Sequence, residues 1–82
     1  MKIVEPFAVP DTFVAELGRV DIMRGGFARF VLCVDRTGAD GTPELHVAAK
    51  IVMPVSAVPD AILQATKATA LAAIGTAEAV YN

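Results

Sequence analysis

Cys33 and His46 are the two soft, reactive side chains of the sequence, and each is the only one of its type. A thiol beside an imidazole can make an activated nucleophile, because the imidazole lowers the thiol pKa and takes its proton. Both residues are expected on the same outward side of a central hairpin, where Cys33 would oppose Ala48 and His46 would oppose Asp35. No Asn or Gln lies in the neighbouring strands to orient the base or to build an oxyanion hole. No catalytic residue is therefore assigned. Cys33 is expected to act as a small hydrophobe, buried or at an interface, and His46 as a cross-strand partner of Asp35.

The other constellations are thinner. One Cys and one His give no CxxC or HxxxH spacing, so no metal site is expected. Gly25-Gly26 sits in no phosphate-loop pattern and no helix follows it, which makes it turn chemistry rather than a nucleotide cradle. Glu5, Asp11 and Glu16 are spread over an irregular segment and are assigned to solvent. No cofactor is expected.

The elements that must position these residues alternate with period two. In FARFVLCVDR, Ala28, Phe30, Leu32 and Val34 take one side of a strand, and Arg29, Val31, Cys33 and Asp35 the other. In ELHVAAKIVM, Leu45, Val47, Ala49, Ile51 and Met53 form one row, with Glu44, His46, Ala48 and Lys50 opposite. TGADGTP between the two runs reads as a hairpin loop. Matching the apolar rows pairs Phe30 with Ile51, Leu32 with Ala49 and Val34 with Val47. Upstream, Arg24-Gly25-Gly26 suits a three-residue hairpin that sets Val20 opposite Phe30 and Asp21 opposite Arg29, with Gly26 left-handed. That first strand is expected to reach back to Phe13 through a β-bulge at Gly18, where the apolar parity changes. A short helix over Thr12–Leu17 is the rival reading.

The four letters AVPD occur at Ala8–Asp11 and again at Ala57–Asp60. The second copy opens a helix over about Ala57–Ile74, with Ser56 as a cap, Pro59 in the first turn and Asp60 complementing the dipole. The first copy leads into strand patterning, so the repeat is punctuation rather than duplication. The expected organisation is a single domain over 1–82. An extended arm at 1–12 precedes a β-meander at 13–53, a helix at 56–75 and a tail at 76–82. The fold class is α+β: a three-stranded antiparallel β-meander with one C-terminal helix packed on one face.

Composition bounds the function classes. Of 82 residues 55% are apolar and 20% charged, an apolar share above that of an average soluble domain. A chain this short has a thin core and little volume to hide that excess, which points to a shared interface. The net charge of −2 and the scattered Lys and Arg exclude the basic cluster of a nucleic-acid binder. Met1-Lys2-Ile3-Val4 runs into Glu5 and Pro6 too early for the apolar region of a signal peptide. Ala61–Ala77 is too short and too rich in Ala and Thr to span a bilayer, so no membrane partner is expected. A single thiol fits a reducing cytoplasm, the expected location.

AKIVMPVSAVPDAI, above all Ile51-Val52-Met53-Pro54 passing quickly into a helix, resembles small bacterial and phage-associated domains of unknown function. These are built as three antiparallel strands followed by a helix. The resemblance covers Phe13–Ile74 by pattern and implies a layout, with no activity to carry over.

Ala61–Ala77 holds one charge, Lys67, and a helix nearly apolar all round is usually covered on two sides. The sheet would cover one side, and a second copy or another protein the other. The expected contact residues are Ala68, Leu71 and Ala72 on the helix, and Val31 and Cys33 on the sheet. The favoured function is a non-enzymatic interaction module that forms a homo-oligomer, a dimer first, through the helix or an edge strand. The alternative is a small-molecule binder or minor enzyme with a site at the dimer seam built from Arg29, Cys33, His46 and Lys50.

Overall fold

The computed structural model describes residues 1–75; the tail at 76–82 lies outside them. Three strands, β1 (Glu16–Met23), β2 (Phe27–Thr37) and β3 (Pro43–Pro54), form one antiparallel sheet in the order β1-β2-β3. A single 3₁₀ turn, Val55–Ala57, leads directly into helix α1 (Val58–Gly75). The fold is thus an α+β meander with one C-terminal helix, as the patterning requires.

Arg24, Gly25 and Gly26 make the first hairpin, and both glycines have positive φ, +85° and +81°. That conformation is cheap only without a Cβ. Val20 pairs with Phe30 and Asp21 with Arg29, the expected register. The register shifts between Leu17 and Arg19, which leaves Gly18 as the extra residue of a bulge. A Cβ on Gly18 would lie 2.7 Å from Cys33 Sγ, so the missing side chain is also what lets Cys33 fit beneath the strand. Regular pairing begins at Glu16 rather than Phe13, and residues 12–14 take neither strand nor helix. One further backbone bond, Ala15 N–H to Cys33 O, carries the ladder slightly outward.

The second hairpin departs from expectation halfway along. Phe30 pairs with Ile51 and Leu32 with Ala49, but the register then shifts, leaving Ala48 as a second bulge. Beyond it Cys33 pairs with Val47, Val34 with His46 and Arg36 with Glu44. The expected pairs Val34 with Val47, Asp35 with His46 and Cys33 with Ala48 are therefore corrected. Leu45 and Val47 turn to the face of Cys33, while Glu44 and His46 turn to the face of Val34. The shift sets Arg36 opposite Glu44, where the unshifted register sets it opposite Leu45, and lets Glu44 meet His46 on the same side of the sheet. The loop between these strands is closed by Gly38 N–H to Thr42 O and Gly41 N–H to Gly38 O. Asp40 accepts from both the Thr42 amide and its hydroxyl.

The helix begins at Val58, one residue after the expected start, and Ser56 lies inside the 3₁₀ turn, which has no side-chain cap. Val55 N–H bonds to Gly26 O at 2.8 Å, tying the helix entry to the first hairpin turn. Asp60 stands in the first turn and accepts from Gln64 Nε2 one turn later. The first AVPD lies in irregular backbone and the second crosses into α1, two uses of the same letters.

Candidate functional site: an open apolar groove

Direct partners in an antiparallel pair share a face, so the registers sort every strand residue. On one face stand Glu16, Arg19, Asp21, Arg29, Asp35 and Lys50, with the buried Val31 and Cys33 and the half-exposed Leu45, Val47 and Val52 among them. Arg29 donates to Asp21 Oδ2 through Nε (3.1 Å) and Nη2 (2.9 Å), and Arg19 Nε donates to Asp21 Oδ1 (3.0 Å). Those bonds, Arg29's first and Arg19's next, hold the Asp21 carboxyl below the usual aspartate range. Val31 pairs with Arg19 on one side and Lys50 on the other, and only 1% of its surface is accessible. Cys33 is 4% accessible and free. Both were expected to contribute to a contact surface; within one chain they are already covered and offer no area of their own.

The nucleophile pair does not assemble. Cys33 belongs to the charged face and His46, through its pairing with Val34, to the other, which corrects the expectation that both point outward together. His46 Nε2 lies 2.8 Å from Glu44 Oε1, two residues back on its own strand, and both side chains are about half exposed. Arg29 and Lys50 share the face of Cys33, not of His46, so the four residues of the seam site are divided between two sides of the sheet. Among the described residues no group of His, Cys, Asp and Glu is placed to hold a metal ion. Among them, too, no buried polar side-chain atom is left without a partner.

The structure's distinctive surface is the opposite face. Leu17, Phe30, Leu32, Ile51 and Met53 form a floor, and Val58, Ala61, Ile62 and Ala65 from the first turns of α1 form one wall. The groove between them encloses about 330 Å³ and is lined by apolar side chains alone. Val20 and Ile22 pair with Phe30 and Ala28 and so continue the floor onto β1. Ile22 is 75% accessible there. Past Ala65 the helix no longer lines the groove, and every residue from Thr66 to Ala73 is exposed. Ala68, Leu71 and Ala72 are among them, Leu71 at 70%.

The sequence pattern marks the residues of this floor as an apolar row but gives no sign that the row is left uncovered. That depends on where the helix goes after Ala65, which no local pattern encodes. Among the described residues no helix is long and apolar enough to cross a membrane. Compared with protein-family models, curated proteins and solved structures, the chain has no significant match, so the groove and its residues are what speak for its role.

Proposed function

We propose that this chain is a non-enzymatic interaction module that self-associates, a dimer being the simplest assembly, with α1 at the contact. The observation that carries the reading is the area left in water. One chain exposes 7115 Å². A compact monomer of 8.6 kDa exposes about 4,700 Å², so roughly 2,400 Å² per chain is surplus, part of it on the arm before Glu16, which is exposed throughout. Much of it is apolar: Leu17, Val20, Ile22, Ile51 and Ile62 are all open to solvent. Exposed apolar patches of this extent mark contact surfaces in soluble proteins. Ala68 and Ala72 permit close approach of a second backbone.

The test is the solution mass of the full chain by light scattering across a hundredfold range of concentration. A mass of two or more chains that falls on dilution supports the reading. A mass of 8.6 kDa throughout would refute it.

A further inference from the structure

We infer that the occupant of the apolar groove is helix α1 of a second copy, each copy laying its helix over the other's sheet about a two-fold axis. This rests on the self-association proposed above and names the surface that performs it.

The groove itself restricts what can enter. Its lining has no hydrogen-bond donor or acceptor from any polar side chain. An extended segment placed there would bury unpaired backbone N–H and C=O groups, each at a cost of about 1–3 kcal/mol or more. The arm before Glu16 is such a segment, and its apolar Ile3, Phe7 and Phe13 alternate with Lys2, Glu5 and Asp11. A helix carries its backbone bonds within itself and enters without that cost. Among the described residues α1 is the only helix longer than a single turn.

The helix also has a side made for the purpose. At 100° per residue, Val58, Ala61, Ile62 and Ala65 define the groove side, and Thr69 and Ala72 continue it beyond the chain's own sheet. Thr69 is the one hydroxyl on that continuation. Its Oγ1 donates back to Ala65 O at 2.9 Å and lies 3.1 Å from Thr66 O, so its polarity is satisfied inside the helix and its methyl is what it presents. Asp60, Gln64 and Lys67 gather on the opposite side, joined in part by the Gln64–Asp60 bond, and Leu71 falls in the same stripe. The helix thus has a dry side longer than its own groove and a wet side suited to solvent.

Geometry and area agree with two helices on each sheet. Three strands spaced about 4.8 Å apart carry a floor wider than one helix covers. The uncovered part includes Leu17, Val20 and Ile22 on β1 and Ile51 on β3. Part of the roughly 2,400 Å² surplus lies on the arm before Glu16, and burying about half of it on each of two chains would still reach the interface size of stable dimers. The sheet edges are poorer candidates, because β1 and β3 are the outer strands and each bears a bulge, which bends a strand away from long in-register pairing.

The deciding experiment compares Thr69→Arg with Leu71→Arg in the full chain, by light scattering and dilution, with far-UV circular dichroism to confirm folding. Both positions are exposed in one chain and neither lines its own groove, so either substitution leaves the single subunit intact. A buried unpaired guanidinium at Thr69 should weaken dimerisation at least about 100-fold, while Leu71→Arg should change it less than about threefold. If Thr69→Arg lowers helicity, Ala72→Glu takes its place with the same expectation. Dimers that persist in both variants would overturn the groove assignment and leave self-association standing, through an edge or the arm. Loss with Leu71→Arg alone would place the contact on the wet stripe and also overturn it. A monomeric wild-type chain would remove both readings together.

Discussion

On one face of the sheet Val31 and Cys33 stand among Glu16, Arg19, Asp21, Arg29, Asp35 and Lys50 and are almost wholly covered. On the other, Leu17, Val20 and Ile22 stand among apolar neighbours and remain open to water. A central residue of a three-stranded sheet can be covered by its two cross-strand neighbours when they are long, and the partners of Val31 are Arg19 and Lys50. Gly18 adds a close backbone over Cys33. An apolar row has no such partners and needs a second layer. Helix α1 supplies that layer only over its first turns, while on the charged face Val31 and Cys33 are closed off and Leu45, Val47 and Val52 along β3 stay about half exposed.

The sharpest way to break this comparison is to place the same charge on each face. Val31→Asp buries a carboxylate at a site that is 1% accessible and should destabilise the fold by at least about 4 kcal/mol, enough to unfold a chain this small. Ile22→Asp sits in water in the single chain and should cost within about 0.5 kcal/mol there. Its effect should appear instead as weaker self-association. Urea titration followed by circular dichroism measures the first quantity and light scattering the second. Equal destabilisation by both substitutions at low concentration would mean that the open face is covered within the chain after all.

Next in size is the close approach at the first bulge. Gly18→Ala sets a methyl 2.7 Å from Cys33 Sγ and 3.4 Å from Val31 O, and overpacking of that kind costs about 1–3 kcal/mol. Cys33→Ala removes the sulfur and makes room. The double variant Gly18→Ala, Cys33→Ala should then be more stable than the sum of the two single losses implies. Additive losses would show that the glycine is needed for backbone conformation rather than for space.

The two bulges also show which features the chain's letters carry. Gly18 is legible because a glycine coincides with a change of apolar parity, from Leu17 to Val20 and Ile22. Ala48 is not, because alanine fits either face and the next residue is also alanine, so the phase can change without a visible break. The one signal is electrostatic: only the shifted register opposes Arg36 with Glu44. It is a weak one, because exposed opposite charges contribute little, and it stands against the Val34–Val47 match that continuity of the apolar rows favours. The consequence reaches the candidate chemistry, since the same shift moves His46 away from the face of Cys33. Strand content, order, the first hairpin and the helix were all within reach of periodicity and turn residues. The groove was not, because its openness depends on the path of α1 after Ala65.

A smaller effect distinguishes the faces by pH. Asp21 is tied to Arg29 first and Arg19 second, and its carboxyl is held below the ordinary aspartate value. A depressed folded-state pKa means that this contribution is present above the unfolded value, near pH 4, and is lost as pH falls through the lower folded value. The pair is partly exposed, so the slope should be shallow and weakened by salt. Asp21→Asn should remove it from a stability–pH titration. Association through the apolar groove, which has no titratable lining, should not share that acid dependence. A dimer that dissociated in step with Asp21 protonation would place the charged face in the contact.

The smallest expected change is at His46, and its smallness is informative. The imidazole is half exposed and meets only Glu44 on its own strand, a contact of the kind that contributes little in water. His46→Ala should shift stability by less than about 0.5 kcal/mol and leave the solution mass unchanged. The seam-site alternative requires the reverse, because there His46 would act with a residue of the second copy. Within one chain Cys33 lies on the other side of the sheet, and its burial by Gly18 and its flanking strands keeps it from reaching a seam on the groove side. A loss of dimer in His46→Ala, with the fold intact, would therefore move the contact from the groove to the far end of the same face, where Val34, His46 and Glu44 lie.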